Sequence, residues 1–477
     1  MNLFKKLSAF LLSIILILSA SACSGDYRDA YIYFEFEKLP STLDPQLVSS
    51  REESVVVRCL FDTLLRYDED GNIVPSAASS YEKDNLTYTF SISPDAHWTN
   101  GEKLTAYDFE FAFKRALDPK TAAPAAATLS SVKSAEAVDD NTFIITLSQD
   151  DPDFLNTLTS PITMPCNQAF FNECKGRYGL GIDCVLACGS YYIRKWQTEG
   201  KFLIRLAKNL DYKSNFEARS MRVYFTCDER NNYEMLSEND TDFAFLSSEE
   251  AKNADINGLN ISELENISYL LFISPEMDED IRLAIMKSVK LDSKIYDDFF
   301  GARVSKSIAP KSLNVTLSDF TGDFPYDIRN AAYLYSEAIL NSNDSSLSGI
   351  NIKCYNDPAA LATAKALSAH WQQNLGAFVN LEEVSSVNSL QSNYNNGNYS
   401  LLIMPITASF RHSSSYISKL GINANDMQSA QDIMGSSSLC YPLFNQCSFL
   451  ASVPLIENND SIIQNGIPDI ALAIKRE

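Results

Sequence analysis

The sequence predicts an α/β protein of several domains, on three observations. Its 477 residues exceed what one hydrophobic core organises, since a domain runs to about 150 residues. Residues 86–147 read as β-rich, whereas residues 350–381 read as strand, helix and strand. Composition agrees: 45% hydrophobic and 21% charged residues is the balance of a folded chain.

The N-terminus carries the clearest local signal. Lys5 and Lys6 precede an apolar run from Leu7 to Leu18, followed by Ala20-Ser21-Ala22-Cys23-Ser24-Gly25. The run is shorter than the roughly 20 residues a membrane span needs. Small residues before a cysteine resemble a bacterial lipobox, which implies a signal peptide over 1–22 and acylation of Cys23. Ala20 stands where a Leu is usual. A plain signal peptide cut after Ala22, or a single-span anchor, are the alternatives.

Further along, Leu86-Thr87-Tyr88-Thr89-Phe90-Ser91-Ile92 alternates as a half-buried strand does. Trp98-Thr99-Asn100-Gly101 then reads as a turn. Thr105 is placed to cap a helix with Asp108 in its first turn. Phe109, Ala112, Phe113, Ala116 and Leu117 form its apolar stripe, and Asp118-Pro119 stops it. A strand is expected over 142–147, and a hairpin over 191–196 and 201–206 around the turn at 197–200. Ile350, Ile352 and Cys354 alternate, Asp357-Pro358 opens a helix, Gly376 closes it, and Val379 and Leu381 begin a second strand. Such a unit implies parallel strands with a right-handed crossover. The polar stretches 341–349 and 385–400 read as surface loops.

Charge and motifs exclude several function classes. With 39 Lys+Arg against 61 Asp+Glu the net charge is −22, a field that repels phosphate backbones, so no nucleic-acid role is expected. His97, His370 and His412 are the only histidines. H-E-x-x-H and G-x-S-x-G are both missing from the chain, so neither zinc-protease nor serine-hydrolase chemistry is indicated, and no catalytic residue, metal or cofactor is expected. Nine cysteines follow Cys23, an odd number that leaves at least one thiol free. Buried thiols with one or two local bridges are the expectation for the Cys166, Cys174, Cys184 and Cys188 group; zinc is the alternative.

The order of short motifs resembles one family across nearly the whole mature chain: the large extracellular solute-binding proteins of oligopeptide, dipeptide and nickel ABC importers, solute-binding family 5. The residues are Leu43-Asp44-Pro45, Leu60-Phe61-Asp62-Thr63-Leu64-Leu65, Asp70-Gly71-Asn72-Ile73-Val74-Pro75, and the run from His97 to Phe109. Asp140-Asn141-Thr142-Phe143, Gly189-Ser190-Tyr191, Asn209-Leu210-Asp211-Tyr212, Asp280 to Ile285 and Asn374-Leu375-Gly376 continue it. The resemblance implies a two-lobe, periplasmic-binding-protein-like (type II) α/β fold with an extra domain inserted in the first lobe. Lobe I would comprise 24–65, 189–273 and a return over 445–477, the inserted domain 66–188, and lobe II 274–444.

It also implies a monomeric, non-enzymatic receptor outside the cytoplasmic membrane. It would be held by lipid on Cys23, binding peptides or peptide-like solutes between the lobes and delivering them to ABC permease and ATPase subunits. Leu39, Ser41, Tyr191, Tyr192, Ser409, Phe410 and Arg411 are the ligand-binding residues it points to. Oligopeptide binders carry an aspartate for the ligand's α-amino group near the position of Ser409, yet residues 399–412 contain no Asp or Glu. The family's usual Asp-Arg is also altered, to Leu291-Asp292-Ser293. Arg411 either favours an acidic ligand group or is solvated. Asp44 and Pro45 read as a structural turn, Trp98, Phe109 and Phe113 as core, and His97 as a turn residue. A transport-independent ligand-sensing or pheromone-binding lipoprotein of the same fold is the second reading.

Overall fold

A computed structural model describes residues 31–68, 70–214, 216, 218–320, 324–341, 349–408, 413–457 and 468–475. The predicted signal peptide and Cys23 lie outside them, as do Ser409, Phe410, Arg411 and His412.

Local sequence signals are realised where they were strongest. Thr105 and Asp108 form a reciprocal capping box on the helix Ala106–Leu117. Tyr191–Gln197 and Phe202–Lys208 pair antiparallel. Gly349–Tyr355 and Phe378–Val384 run parallel around the helix Pro358–Leu375, which Asp357 caps and Gly376 ends in the left-handed conformation. The stretch 385–400, expected to be a loop, instead holds a helix, Val387–Asn395, capped by Ser386. Its Leu390 is fully buried and Tyr394 packs beside it, so two residues at i and i+4 anchor a helix whose remaining positions are polar. Residues 342–348 of the other expected loop are outside the described set.

One long sheet unites the molecule. Its strand order is Phe378–Val384, Gly349–Tyr355, Leu401–Thr407, Asn260–Ile273, Cys440–Ser452, Phe243–Leu246, Tyr31–Glu35, Arg222–Cys227, Phe202–Lys208 and Tyr191–Gln197, with Ala302–Val304 added on Cys440–Ser452. Asn260–Ile273 and Cys440–Ser452 are 14 and 13 residues long and pair antiparallel along their length. Their ladder shifts register between Glu265 and Ile267 and again between Tyr269 and Leu270. At the first shift the sheet changes company. Phe449 to Ser452 pair with Phe243–Leu246 on one side, whereas Ile267 to Ile273 pair with Leu401–Thr407 on the other.

The hydrophobic core divides at the same place. One cluster takes Phe34, Trp98, Phe225 and Phe449. Beyond the shift, Leu271, Ile273, Ile352 and Trp371 pack on one face of the sheet, and Leu270, Phe272, Met404 and Tyr416 on the other. Alternate residues of one strand thus serve opposite faces, and helices cover both, which explains the unbroken apolar run from Leu401 to Ile406. A separate antiparallel sheet, in the order Ala78–Asp84, Thr87–Ile92, Thr142–Leu147, Val132–Ala137, carries the helix Ala106–Leu117. Phe109 and Phe113 meet Phe143 there, with ring centroids 5.9 and 5.6 Å apart.

Arg115, near the end of that helix, ties this domain to the first lobe. Its guanidinium donates to Asp44 Oδ1 and Oδ2 at 3.2 and 2.5 Å and to Gln46 Oε1 at 2.6 Å. It also lies over the Phe171 ring. The Leu43-Asp44-Pro45 segment is therefore held by burial and ion pairing, with Gly179 pressed against the Asp44 backbone at φ +78°, a spot no side chain can occupy. All nine described cysteines are unpaired. This corrects the expected local bridges: Cys166, Cys174 and Cys184 serve as small apolar groups in one buried cluster.

Candidate functional site

A cleft of about 500 Å³ opens where the two lobes face each other, within the usual range for small-ligand sites. Pro45 to Arg58 form one wall, Pro124 to Thr128 and Thr159 to Ile162 of the inserted domain extend it, and Leu264, Asn266, Thr407, Ala408, Ser415 and Lys419 form the opposite wall.

The first wall is built by the helix Arg51–Leu60, started by a capping box in which Ser50 accepts from the Glu53 amide and Glu53 accepts from Ser50. Glu53 is also a hub for the turns before the helix, accepting from Ser41 N and Oγ at 2.9 and 2.5 Å and from Ser49 N at 2.8 Å. Burial raises its carboxyl pKa, but these hydrogen bonds outweigh burial and leave it below the ordinary 4.5. Arg51 and Arg58 lie seven residues apart on one face of this helix. Arg51 is neutralised by Glu37 and Glu52 at 2.8 and 3.1 Å. Arg58 is 4% exposed and donates to the Thr159 carbonyl at 3.0 Å.

The second wall depends on the register shift. Asn266, at the shift, accepts from Ala408 N at 2.7 Å through its carbonyl and from Ser448 Oγ at 2.8 Å through its side chain. This fixes where the strand Leu401–Thr407 ends. Lys419, on the helix Ser413–Lys419, donates to the Thr407 carbonyl at 2.7 Å. Its side chain reaches solvent, yet the cleft wall crowds it and desolvation lowers its pKa.

Beside the cleft a hydrogen bond joins the second lobe to the inserted domain: Ser413 N donates to Asp153 Oδ2 at 2.9 Å. Burial raises the Asp153 carboxyl above its ordinary 3.8, the Ser413 bond pulls it down, and nearby Asp151 adds to the rise. The Ser413 bond favours the charged carboxylate, so it opposes the effect of burial. Asp153→Ala is expected to shift the equilibrium apart by on the order of 1 kcal/mol, about fivefold. Asp153→Asn, which keeps an acceptor for the Ser413 amide, is expected to lose less. The radius of gyration from small-angle scattering checks both.

Of the sequence-predicted residues, none that is described lines this cleft. Tyr191 is a correction: it is wholly buried, with its hydroxyl on Ser220 at 2.7 Å, because its strand turns that face into the first core. Tyr192 packs half-buried against the same core, Leu39 is exposed, and Ser41 is engaged by Glu53. The segment 409–412 is flanked on both sides by lining residues. Arg51, Arg58, Asn266 and Lys419 were missed. The Ser50/Glu53 pair does mark a helix start in sequence, and the Arg51–Arg58 spacing marks a shared face. Trp98 and His97 are as read: Trp98 is core, donating to Asp108 at 3.3 Å, and His97 caps an exposed turn on the Asp95 carbonyl.

Two α/β lobes joined by crossing strands, with a cleft between them and a domain inserted in the first lobe, define a type II periplasmic-binding-protein fold. Solved structures share it. The Haemophilus influenzae OppA complex with RPPGFSPFR aligns with a TM-score of 0.72 and 20% identity, over 94% of this chain and 99% of that one. The Escherichia coli murein tripeptide binding protein MppA aligns at 0.73 and 18%, over 94% and 98%. In sequence, the dipeptide-binding protein of Lactococcus lactis subsp. cremoris is 25% identical over 435 residues, 82% of this chain and 78% of that protein. Residues 72–428 match the model of bacterial extracellular solute-binding proteins, family 5, and the chain belongs to that family.

Proposed function

We propose that this protein is the substrate-binding lipoprotein of an ABC importer, taking peptides or peptide-like solutes into the interlobe cleft and handing them to a permease. The observation that carries this reading is the cleft itself, set at the register shift where two continuous strands pass between lobes. Few backbone angles need to change there for the lobes to part, and closure draws its energy from contacts made only when they meet. The relatives are named for dipeptide, oligopeptide and murein tripeptide binding, which supports a peptide class. An extended peptide in such a cleft gains affinity from its main chain and tolerance from roomy side pockets.

The lobe boundaries proposed are 24–65, 189–265 and 445–477 for lobe I, 66–188 for the inserted domain and 266–444 for lobe II. The expected boundary at 273 is moved to the register shift because Leu271 and Ile273 pack with Trp371. Lipid on Cys23 would keep the receptor at the outer membrane face, each buried CH₂ adding about 0.8 kcal/mol. No described helix is long and apolar enough to cross a membrane. Ser409, Phe410 and Arg411 are proposed to complete the second wall, next to Ala408. The acid-free stretch 399–412 favours a second reading, a sensing or pheromone-capturing lipoprotein of the same fold.

Native mass spectrometry of protein purified without denaturation is expected to reveal a retained peptide-like ligand. Added ligand is expected to raise the melting temperature and shrink the radius of gyration. An unchanged radius at saturating ligand, or chemical turnover of the bound compound, would sink the proposal.

A further inference from the structure

The charge lining the cleft runs against the charge of the chain. In a protein of net charge −22, the lining residues include Arg51, Arg58 and Lys419 and no Asp or Glu. Arg51 already has its carboxylates. Arg58 and Lys419 form no ion pair with a described residue; each is held by one backbone carbonyl, of Thr159 and Thr407 respectively.

Arg58 is the informative one. It is buried, and its Nε–H has no hydrogen-bond partner among the described residues. Burial lowers its pKa to about 10, against the opposing pull of Asp469 and with Arg66 adding to the fall. A desolvated guanidinium with an unused donor is costly to maintain. A ligand carboxylate in the cleft would supply the opposite charge that no described lining residue offers it. Lys419 lines the same cleft from the opposite wall, so an anion held by both gains its second contact only when the lobes meet. That is the differential contact closure requires.

We propose that the cleft anchors an anionic group between Arg58 and Lys419, on a peptide-like ligand whose α-amino group is blocked or dispensable. This rests on the peptide-binding reading and specifies its ligand class. The described lining residues offer no carboxylate to a ligand ammonium, and the Thr407–Ala408 end of the cleft carries a lysine.

The test uses three tri-alanine amides, with free, acetylated and succinylated N-termini, bearing charges of about +1, 0 and −1, titrated calorimetrically into the wild-type protein and Lys419→Gln. Gln keeps a donor for the Thr407 carbonyl, and an unchanged melting temperature checks that the variant is folded. The succinyl peptide is expected to bind at least tenfold tighter than the free-amine peptide, with an affinity that falls as salt rises. Lys419→Gln is expected to remove that preference, read as the ratio of succinyl to acetyl peptide affinity in each protein. Tighter binding of the free-amine peptide, or a preference that survives Lys419→Gln, would overturn the inference while leaving peptide binding intact. Binding of none of the three would overturn both.

Discussion

Replacing Asp469 by Ala is expected to destabilise the protein by about 3–5 kcal/mol, the cost of leaving a buried cation without its partner. Arg66, 3% exposed, forms its ion pair with Asp469. Its second carboxylate, Asp62, stands 3.9 Å away, and Phe216 lies under the guanidinium at 4.6 Å. Arg58, buried nearby, is also supported by Asp469 ahead of any other charge. One carboxylate therefore serves two desolvated guanidiniums, and its loss removes the main charge supporting Arg58 and leaves Arg66 with the more distant Asp62 alone.

The same residue fastens the end of the chain. Asp469 precedes the short helix Ile470–Leu472, where Ile470 and Ala471 are wholly buried and the Ala471 carbonyl accepts from Arg219 N at 2.9 Å. The fall in the urea midpoint measures the effect, with Asp469→Asn as an isosteric control expected to lose less. A loss below about 1 kcal/mol for the alanine variant would refute the account. Because Arg58 lines the cleft, ligand affinity in Asp469→Ala should change as well, although Asp469 touches no cleft surface.

Trp371→Ala is expected to cost a similar 3–5 kcal/mol, through the cavity left in the second lobe. Trp371 is fully buried on the helix Pro358–Leu375, and Ala360, Ala364 and Leu367 on that helix are buried with it. Its backbone carbonyl accepts from Gly376, the helix C-cap. The other two tryptophans, Trp98 and Trp196, pack with the first core. Fluorescence at Trp371 therefore reports the second lobe alone. In Trp371→Ala, circular dichroism is expected to show a second-lobe transition at lower denaturant, with the Trp98 and Trp196 emission changing later. Trp371→Phe should cost less, because it keeps most of the volume and removes an Nε1–H that has no partner among the described residues.

How far these residues were legible in the sequence differs from one to the next. Trp371 was readable, because it stands on the apolar stripe of a helix whose cap, proline and closing glycine all lie within twenty residues. The hairpin 191–208 and the Thr105 cap were readable for the same reason: each depends on neighbours along the chain. The helix Val387–Asn395 was not, because one buried residue and one half-buried one in a polar stretch leave too weak a period to distinguish it from a loop. Nor was the burial of Tyr191, expected to bind ligand, because which face of a strand is buried depends on what packs against the sheet.

The cleft was the least legible. Its walls gather residues from 45–67, 124–128, 159–162, 264–266 and 407–419, and Arg58 on its own looks like a solvated helix cation. Only its surroundings make it a desolvated group short of a partner.

The amino-acid order alone determined the α/β class, the principal helices and strands, and the family, since helix caps, turn glycines and hydrophobic period act over a few residues. The tertiary structure decided which surface is the cleft, which charges are neutralised inside it and which tyrosine is core. Burial and ion pairing depend on distances between segments hundreds of residues apart, and those distances exist only once both lobes have folded against the crossing strands.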